Sequence, residues 1–102
     1  MIVLGIDPGI SLTGWGVIEA KTRDNLNALN YGCIATYPKD SLIDRLQYIN
    51  VELQSIIDKY KPDVIAIEQL FFLKKSASVA SVGQARGAIV LTVALNKIPL
   101  FE

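Results

Sequence analysis

The sequence predicts an α/β fold with a mixed five-stranded sheet flanked by helices, on the basis of three observations. Three strand-like segments open the chain and form an antiparallel meander. An amphipathic helix follows, and after it come an apolar strand, a second helix and a last strand. Right-handed strand–helix–strand crossovers place these last two strands parallel to their neighbours. With 102 residues and 51% hydrophobic content, the chain is expected to form a single domain around one core.

The first strand is predicted over residues 2–6 (IVLGI), a continuous apolar run that is typical of a central strand covered on both faces. Asp7 follows this run directly, and the Pro8-Gly9 pair then breaks the strand. The strand therefore carries a carboxylate at its carboxyl end.

Two more strands complete the predicted meander. Residues 15–20 (WGVIEA) follow the first strand after a tight connection, so they are expected to run antiparallel to it. Residues 21–27 are polar and rich in Asn and Asp, which is typical of a turn. Residues 28–37 (ALNYGCIATY) suit the third strand.

Residues 41–60 are the clearest helix in the sequence. Ser41, followed by Asp44 three residues later, is typical of the N-terminal cap of a helix. Lys61 precedes Pro62 and ends the helix, because a following proline disfavours helical geometry. One apolar stripe recurs at alternating steps of four and three: Leu42, Leu46, Ile49, Leu53, Ile56 and Tyr60.

The remaining elements are predicted from shorter patterns. Residues 63–67 (DVIAI) form a fourth buried strand, which runs into Glu68. A second helix over about residues 76–96 and a fifth strand beginning at residues 98–101 follow. Residues 88–95 are apolar around nearly the whole helix, so this helix needs cover on two sides. The sheet provides one side, and a second subunit or further chain would provide the other.

Composition excludes several classes of protein. No apolar run approaches the roughly 18 residues that span a bilayer, and no signal peptide is recognisable, so a cytoplasmic protein is expected. Cys33 is the only cysteine and the chain has no histidine, which excludes an internal disulfide and argues against zinc. Cys33 is expected to pack in the core.

The formal net charge of zero conceals an uneven distribution of charge. Residues 1–68 contain six Lys or Arg against nine Asp or Glu, a balance of −3. Residues 69–102 contain four against one, a balance of +3. This second part can present a surface to phosphates.

Asp7 and Glu68 are the candidate metal ligands. If the first and fourth strands are parallel neighbours, both carboxylates lie at the carboxyl edge of the sheet, where open α/β sheets bind ligands. Two adjacent carboxylates repel unless a cation lies between them, and oxygen ligands suit Mg²⁺ or Mn²⁺. Two such ions, about 3.5–4 Å apart, can support phosphodiester hydrolysis. The alternative is that Asp7 only starts a turn, since Asp-Pro-Gly is common turn chemistry.

Three segments of the sequence resemble one family of nucleases. "LGIDPGISLTGWGVIE", "DVIAIEQLFF" and "SVGQARGAI" are similar, in order and spacing, to the RuvC-type Holliday-junction resolvases, which are ribonuclease H-like endonucleases. The resemblance implies a homodimeric, Mg²⁺-dependent enzyme that nicks four-way DNA junctions in recombination and repair, with contact to the branch-migration machinery. It matches Asp7 and Glu68 to catalytic carboxylates, and Phe71 to an aromatic residue placed against bases near the junction.

The chain departs from this family in one respect. Family members are longer by about half and carry two further acidic residues on a last helix. Glu102, the only acidic residue after Glu68, lies on another element and cannot replace that pair. The chain is therefore expected to be an N-terminal part of the nuclease domain without the C-terminal helix, and to cleave weakly or not at all by itself.

Six residues are candidates for DNA binding, each with a structural alternative. Phe71 can stack on bases while Lys74 and Lys75 meet phosphates, or the ring belongs to the core and the lysines to a solvated loop. Ser11 and Thr13 can donate hydrogen bonds to a phosphate, or they cap the turn. The sixth, Arg86, meets a DNA phosphate or is an exposed helix residue.

Two other functions remain open from the sequence. Actin-like kinases and ATPases also begin with a strand, an aspartate and a glycine-containing hairpin that holds phosphate. A non-enzymatic alternative is a DNA-binding or dimerising module that keeps the ribonuclease H-like fold without catalysis.

Overall fold

The computed structural model describes residues 1–69 and 76–102, and only the backbone of residues 76–79. The elements are β1 (Ile2–Asp7), β2 (Leu12–Thr22), β3 (Asn25–Ala35), α1 (Leu42–Tyr60), β4 (Val64–Ile67), α2 (Ser76–Leu95) and β5 (Leu100–Phe101). The sheet has the order β3-β2-β1-β4-β5, with β1, β2 and β3 antiparallel and β4 and β5 parallel to β1. This is the predicted fold class.

The β2–β3 hairpin is longer than predicted. Its turn contains only residues 23 and 24, and strand pairing continues to Thr22 opposite Asn25. The pairing shifts register between Val17 and Ile18 and again between Ala20 and Thr22. The end of the hairpin is exposed to solvent. The polar residues predicted to form a turn are therefore mostly strand residues that face water.

Helix α1 begins and ends as predicted. The Ser41 side chain accepts a hydrogen bond from the Asp44 backbone N–H at 3.1 Å. At the other end, Lys61 adopts a left-handed conformation with φ 48° and donates its N–H to the Ile57 carbonyl at 2.8 Å. Pro62 then prevents the helix from continuing.

The core lies between one face of the sheet and the two helices. Ile34 of β3 points into this core, so its neighbour Cys33 points to the opposite face and is exposed. The prediction that Cys33 packs in the core is therefore wrong. The buried cluster comprises Leu4, Ile6, Val17, Ile34, Ile49, Leu53, Ile57, Ile65, Ile67, Ala85, Ile89 and Val93.

Among the described residues, neither helix has the length and apolar character needed to span a membrane.

Candidate active site at the carboxyl edge of the sheet

Asp7 and Glu68 occupy neighbouring positions at the carboxyl edge of the sheet. β1 and β4 are parallel, Ile6 and Ile67 are register partners, and the Glu68 N–H donates to the Ile6 carbonyl at 3.0 Å. Asp7 and Glu68 each follow one of these partners on adjacent strands, which lie about 4.8 Å apart. Because Ile6 and Ile67 point into the core, the two carboxylates point to the opposite face, and both residues are exposed.

Small residues surround the carboxylates on this open face of the sheet. Gly14 of β2 is the register partner of Asp7, and a Cβ added there would lie 3.8 Å from the Asp7 Cβ. Gly5 lies between Gly16 on one side and Ala66 on the other. The open face next to the carboxylates is therefore flat, and a second molecule or another segment can approach the backbone closely.

The turn of residues 8–11 follows Asp7 immediately and is tightly closed. A Cβ added at Gly9 would overlap the Leu12 carbonyl, so this position needs glycine. Thr13 Oγ1 donates to the Gly9 carbonyl at 2.6 Å and lies 3.2 Å from the Gly9 N–H, which donates to it. Thr13 is 1% exposed. Its surroundings favour the turn-capping alternative over contact with DNA.

Ser11 is exposed, but its hydroxyl already has a partner within the chain. The Oγ accepts a hydrogen bond from Arg45 Nη2 at 3.1 Å, and the Ser11 carbonyl accepts from the Thr36 N–H at 3.0 Å. Arg45 Nε donates to Thr36 Oγ1 at 3.0 Å, and that hydroxyl donates to the Ile10 carbonyl. The turn after Asp7 is thus linked both to the end of β3 and to α1.

Arg45 was not among the residues predicted for the site, although the sequence contained a signal for it. Arg45 is the fourth residue of α1, and the N-terminal end of a helix carries a partial positive charge that disfavours a cation. A basic residue at such a position indicates a specific partner elsewhere. Here the partners are the hydroxyls of Ser11 and Thr36.

Arg86 has a protein partner near the same edge of the sheet. Its Nη2 lies 2.7 Å from Glu102 Oε1, and the Arg86 side chain is only 18% exposed. Nε and Nη2 are buried without an aligned hydrogen bond, so the pair is held by charge and proximity. Contact between Arg86 and a DNA phosphate would require this ion pair to open.

The other predicted DNA contacts, Phe71, Lys74 and Lys75, lie outside the described residues. Within residues 1–69 and 76–102, no group of three or more His, Cys, Asp or Glu side chains forms a metal cluster. Asp7 and Glu68 offer exposed carboxylate oxygens from two adjacent strands, a donor type that fits Mg²⁺ or Mn²⁺.

A mixed sheet of this order, with acidic residues at the ends of two adjacent parallel strands, defines a ribonuclease H-like protein. Within that class, the chain belongs to the family of the crossover junction endodeoxyribonuclease RuvC, whose sequence profile matches residues 3–102.

Curated relatives and a solved structure agree with this family. The chain is 68% identical over 102 residues to the crossover junction endodeoxyribonuclease RuvC of Endomicrobium trichonymphae and covers 54% of that protein. It is 47% identical to the one from Caldicellulosiruptor saccharolyticus and covers 61% of it. Both matches cover 100% of this chain.

The structure of T. thermophilus RuvC in complex with a Holliday junction substrate matches with a TM-score of 0.91 and 28% identity. The match covers 98% of this chain and 61% of that one. The chain therefore spans between about half and three-fifths of the length of these proteins.

Proposed function

We propose that residues 1–102 form one ribonuclease H-like domain of a metal-dependent endodeoxyribonuclease that cuts four-way DNA junctions. The observation that carries this proposal is the pairing of β1 with β4, which puts Asp7 and Glu68 side by side in a chain of this family. Membership of the family over residues 3–102 favours this function over the actin-like alternative. The junction-bound T. thermophilus relative supports junction DNA as the substrate.

Asp7 and Glu68 would hold Mg²⁺, and Mn²⁺ would replace it. When bound, metal ions would supply Lewis-acid activation of a water molecule and stabilisation of the leaving oxygen, and we propose that two such ions act here. The protein's part is to hold two carboxylates at fixed positions on adjacent strands. It also leaves the face beside them flat, because Gly14 and Gly16 carry no side chains.

DNA would approach from the carboxyl edge of the sheet. Phe71 is proposed to stack on bases close to the junction, and Lys74 and Lys75 to contact phosphates, because all three follow Glu68 closely in the sequence. Residues 69–102 carry four Lys or Arg and one acidic residue, which supports attraction to DNA.

A homodimer is part of this proposal. A four-way junction presents two opposed strands for cutting, so two copies related by a two-fold axis would supply one site for each strand. Helix α2 supports this arrangement because its core-facing side is buried while Leu91 is 57% and Leu95 is 71% exposed. These two leucines, four residues apart, share a face of the helix.

The 102-residue chain by itself is proposed to cleave weakly or not at all. Two carboxylates supply only part of the six oxygen ligands that Mg²⁺ requires, and each missing anionic ligand weakens binding. Junction binding without cleavage, in both Mg²⁺ and Mn²⁺, would instead support the non-enzymatic alternative for this chain.

The test uses a chimera in which these 102 residues replace the matching part of the Endomicrobium trichonymphae relative, to which they are 68% identical. We expect metal-dependent nicking of a four-way junction and little nicking of a linear duplex of the same sequence. Asp7→Asn should lower kcat by about 10²-fold or more, since loss of a metal ligand removes several kcal/mol of transition-state stabilisation. Equal cleavage rates on both DNAs would contradict the junction preference. An unchanged kcat in Asp7→Asn would show that Asp7 takes no part in catalysis.

A further inference from the structure

Arg45 reaches from α1 to two separate segments at the edge of the sheet that carries Asp7. Its Nη2 donates to Ser11 Oγ at 3.1 Å and its Nε donates to Thr36 Oγ1 at 3.0 Å. Ser11 belongs to the turn after β1, and Thr36 follows the last residue of β3. The planar guanidinium therefore fixes these two hydroxyls relative to each other and to the helix.

Further hydrogen bonds hold the turn of residues 8–11, which directly follows Asp7. Thr36 Oγ1 donates to the Ile10 carbonyl, and the Thr36 N–H donates to the Ser11 carbonyl at 3.0 Å. The Gly9 N–H and carbonyl are both bonded to Thr13 Oγ1. Among the hydrogen bonds between described residues, the bond from Arg45 to Ser11 is the one that joins α1 to this turn.

The charge of Arg45 is not used in an ion pair with any described carboxylate. Asp40 and Asp44 line the same cleft of ≈ 470 Å³ as Arg45. Neither carboxylate lies close enough to the Arg45 guanidinium to form an ion pair with it. The guanidinium instead donates to two neutral hydroxyls, where it contributes geometry more than charge. The two aspartates also make this cleft unfavourable for a phosphate.

We propose that Arg45 is a positioning residue for the candidate metal site. It holds the turn of residues 8–11 against α1 and the end of β3, and in this way fixes the Asp7 carboxylate beside Glu68. The inference rests on the proposed function, because it assumes that these two carboxylates bind metal. It assigns Arg45 no contact with the metal or with DNA.

The test is Arg45→Lys, which keeps the charge but cannot donate to both hydroxyls from one rigid group. Arg23→Lys is the matched control, because Arg23 lies in the exposed turn between β2 and β3. Amide hydrogen exchange in the 102-residue chain is measured first. In Arg45→Lys we expect exchange at Thr36 and Gly9 to be faster by about 10-fold or more, with Leu4 unchanged, since the opening is local.

The second measurement is the broadening of the Asp7 and Glu68 amide signals by Mn²⁺ in the chimera, which needs no catalysis. Arg45→Lys and Ser11→Ala should each raise the Mn²⁺ concentration for half-broadening by roughly 10-fold, because a displaced ligand binds metal less well. The double variant should show no further increase. In the chimera, kcat should fall while KM for junction DNA stays the same.

Three results would overturn the proposal. One is a lower melting temperature with unchanged exchange at Thr36 and unchanged Mn²⁺ broadening, which would make Arg45 merely structural. Another is weaker junction binding, with a salt dependence reduced by about one phosphate contact and unchanged broadening, which would make Arg45 a DNA contact. The third is the absence of Mn²⁺ broadening at Asp7 and Glu68 in the unaltered chimera. If broadening occurs but the chimera does not cut junctions, the proposed function fails while the role of Arg45 is still decided.

Discussion

The Glu68 N–H donates a hydrogen bond to the Ile6 carbonyl at 3.0 Å, and this bond sets the relation between the two carboxylates of the candidate site. It extends the parallel pairing of β1 with β4 by one step beyond Ile6 and Ile67. Each strand reaches its acidic residue at the same point along the sheet. Two anionic groups that are 61 positions apart in the sequence thus become neighbours without any contribution from a flexible loop.

Replacing Asp7 should separate metal binding from folding. Two neighbouring carboxylates repel each other without a cation, so Asp7→Asn should keep or slightly raise the melting temperature in EDTA. Added Mg²⁺ should stabilise the parent chain, by about 2.7 kcal/mol at 100 times its Kd, and should stabilise the variant much less. Thermal denaturation with and without Mg²⁺ measures both effects.

The matched control for this experiment is Asp24→Asn, which removes an exposed carboxylate from the turn of the β2–β3 hairpin. It should respond to Mg²⁺ as the parent does. An equal response to Mg²⁺ in the parent and in Asp7→Asn would contradict metal binding by Asp7.

Among the glycines near Asp7 at the carboxyl edge of the sheet, Gly9 should tolerate a side chain least. A Cβ at Gly9 overlaps the Leu12 carbonyl, and relief of the overlap would open the turn closed by Thr13. Gly9→Ala should therefore lower the free energy of unfolding by about 1–3 kcal/mol, measured by urea denaturation. Gly16→Ala is the control, because its Cβ would meet nothing closer than 3.9 Å and should change stability little. Similar losses in both variants would show that the overlap at Gly9 does not determine stability.

The sequence predicted a sheet of three antiparallel and two parallel strands with an acidic edge, because these features depend on local patterns. Apolar runs that end in Asp7 and Glu68 mark two buried strands, and a crossover rule makes the fourth strand parallel to its neighbour in the sheet. That this neighbour is the first strand was an assumption from the sequence, and the pairing of β1 with β4 confirms it. Cys33 was assigned wrongly because residue type alone does not tell which face of a strand a residue occupies. The neighbouring Ile34 fills the core position, so the cysteine is exposed.

The contacts that hold the turn after Asp7 could not be predicted in the same way. Ser11 and Thr36 meet the Arg45 side chain across 34 and nine positions, and no periodic pattern encodes such contacts. Thr13 posed a similar problem, since a hydroxyl in a turn suits a phosphate and a buried cap equally well. Its 1% exposure and its two hydrogen bonds to Gly9 favour the buried cap.

The ion pair between Arg86 and Glu102 should contribute to stability. Glu102→Gln would leave the largely buried guanidinium without its counter-charge, so the free energy of unfolding should fall by roughly 1–2 kcal/mol. In a double-mutant cycle with Arg86→Met, we expect a coupling of about 0.5–2 kcal/mol. A coupling near zero would show that the pair is close in space without being stabilising. If Arg86 instead contacted DNA directly, Glu102→Gln would tighten junction binding without lowering the free energy of unfolding.

Helix α2 should determine the oligomeric state through its exposed apolar face. Leu91→Glu places a charge where two copies of the helix would meet, and burial of an unpaired charge costs several kcal/mol. We therefore expect sedimentation of the chimera to change from dimer to monomer. Val51→Glu is the matched control, because Val51 is 54% exposed on α1 and should leave the dimer intact. If the dimer persists in Leu91→Glu but dissociates in Val51→Glu, the interface involves α1 and not α2.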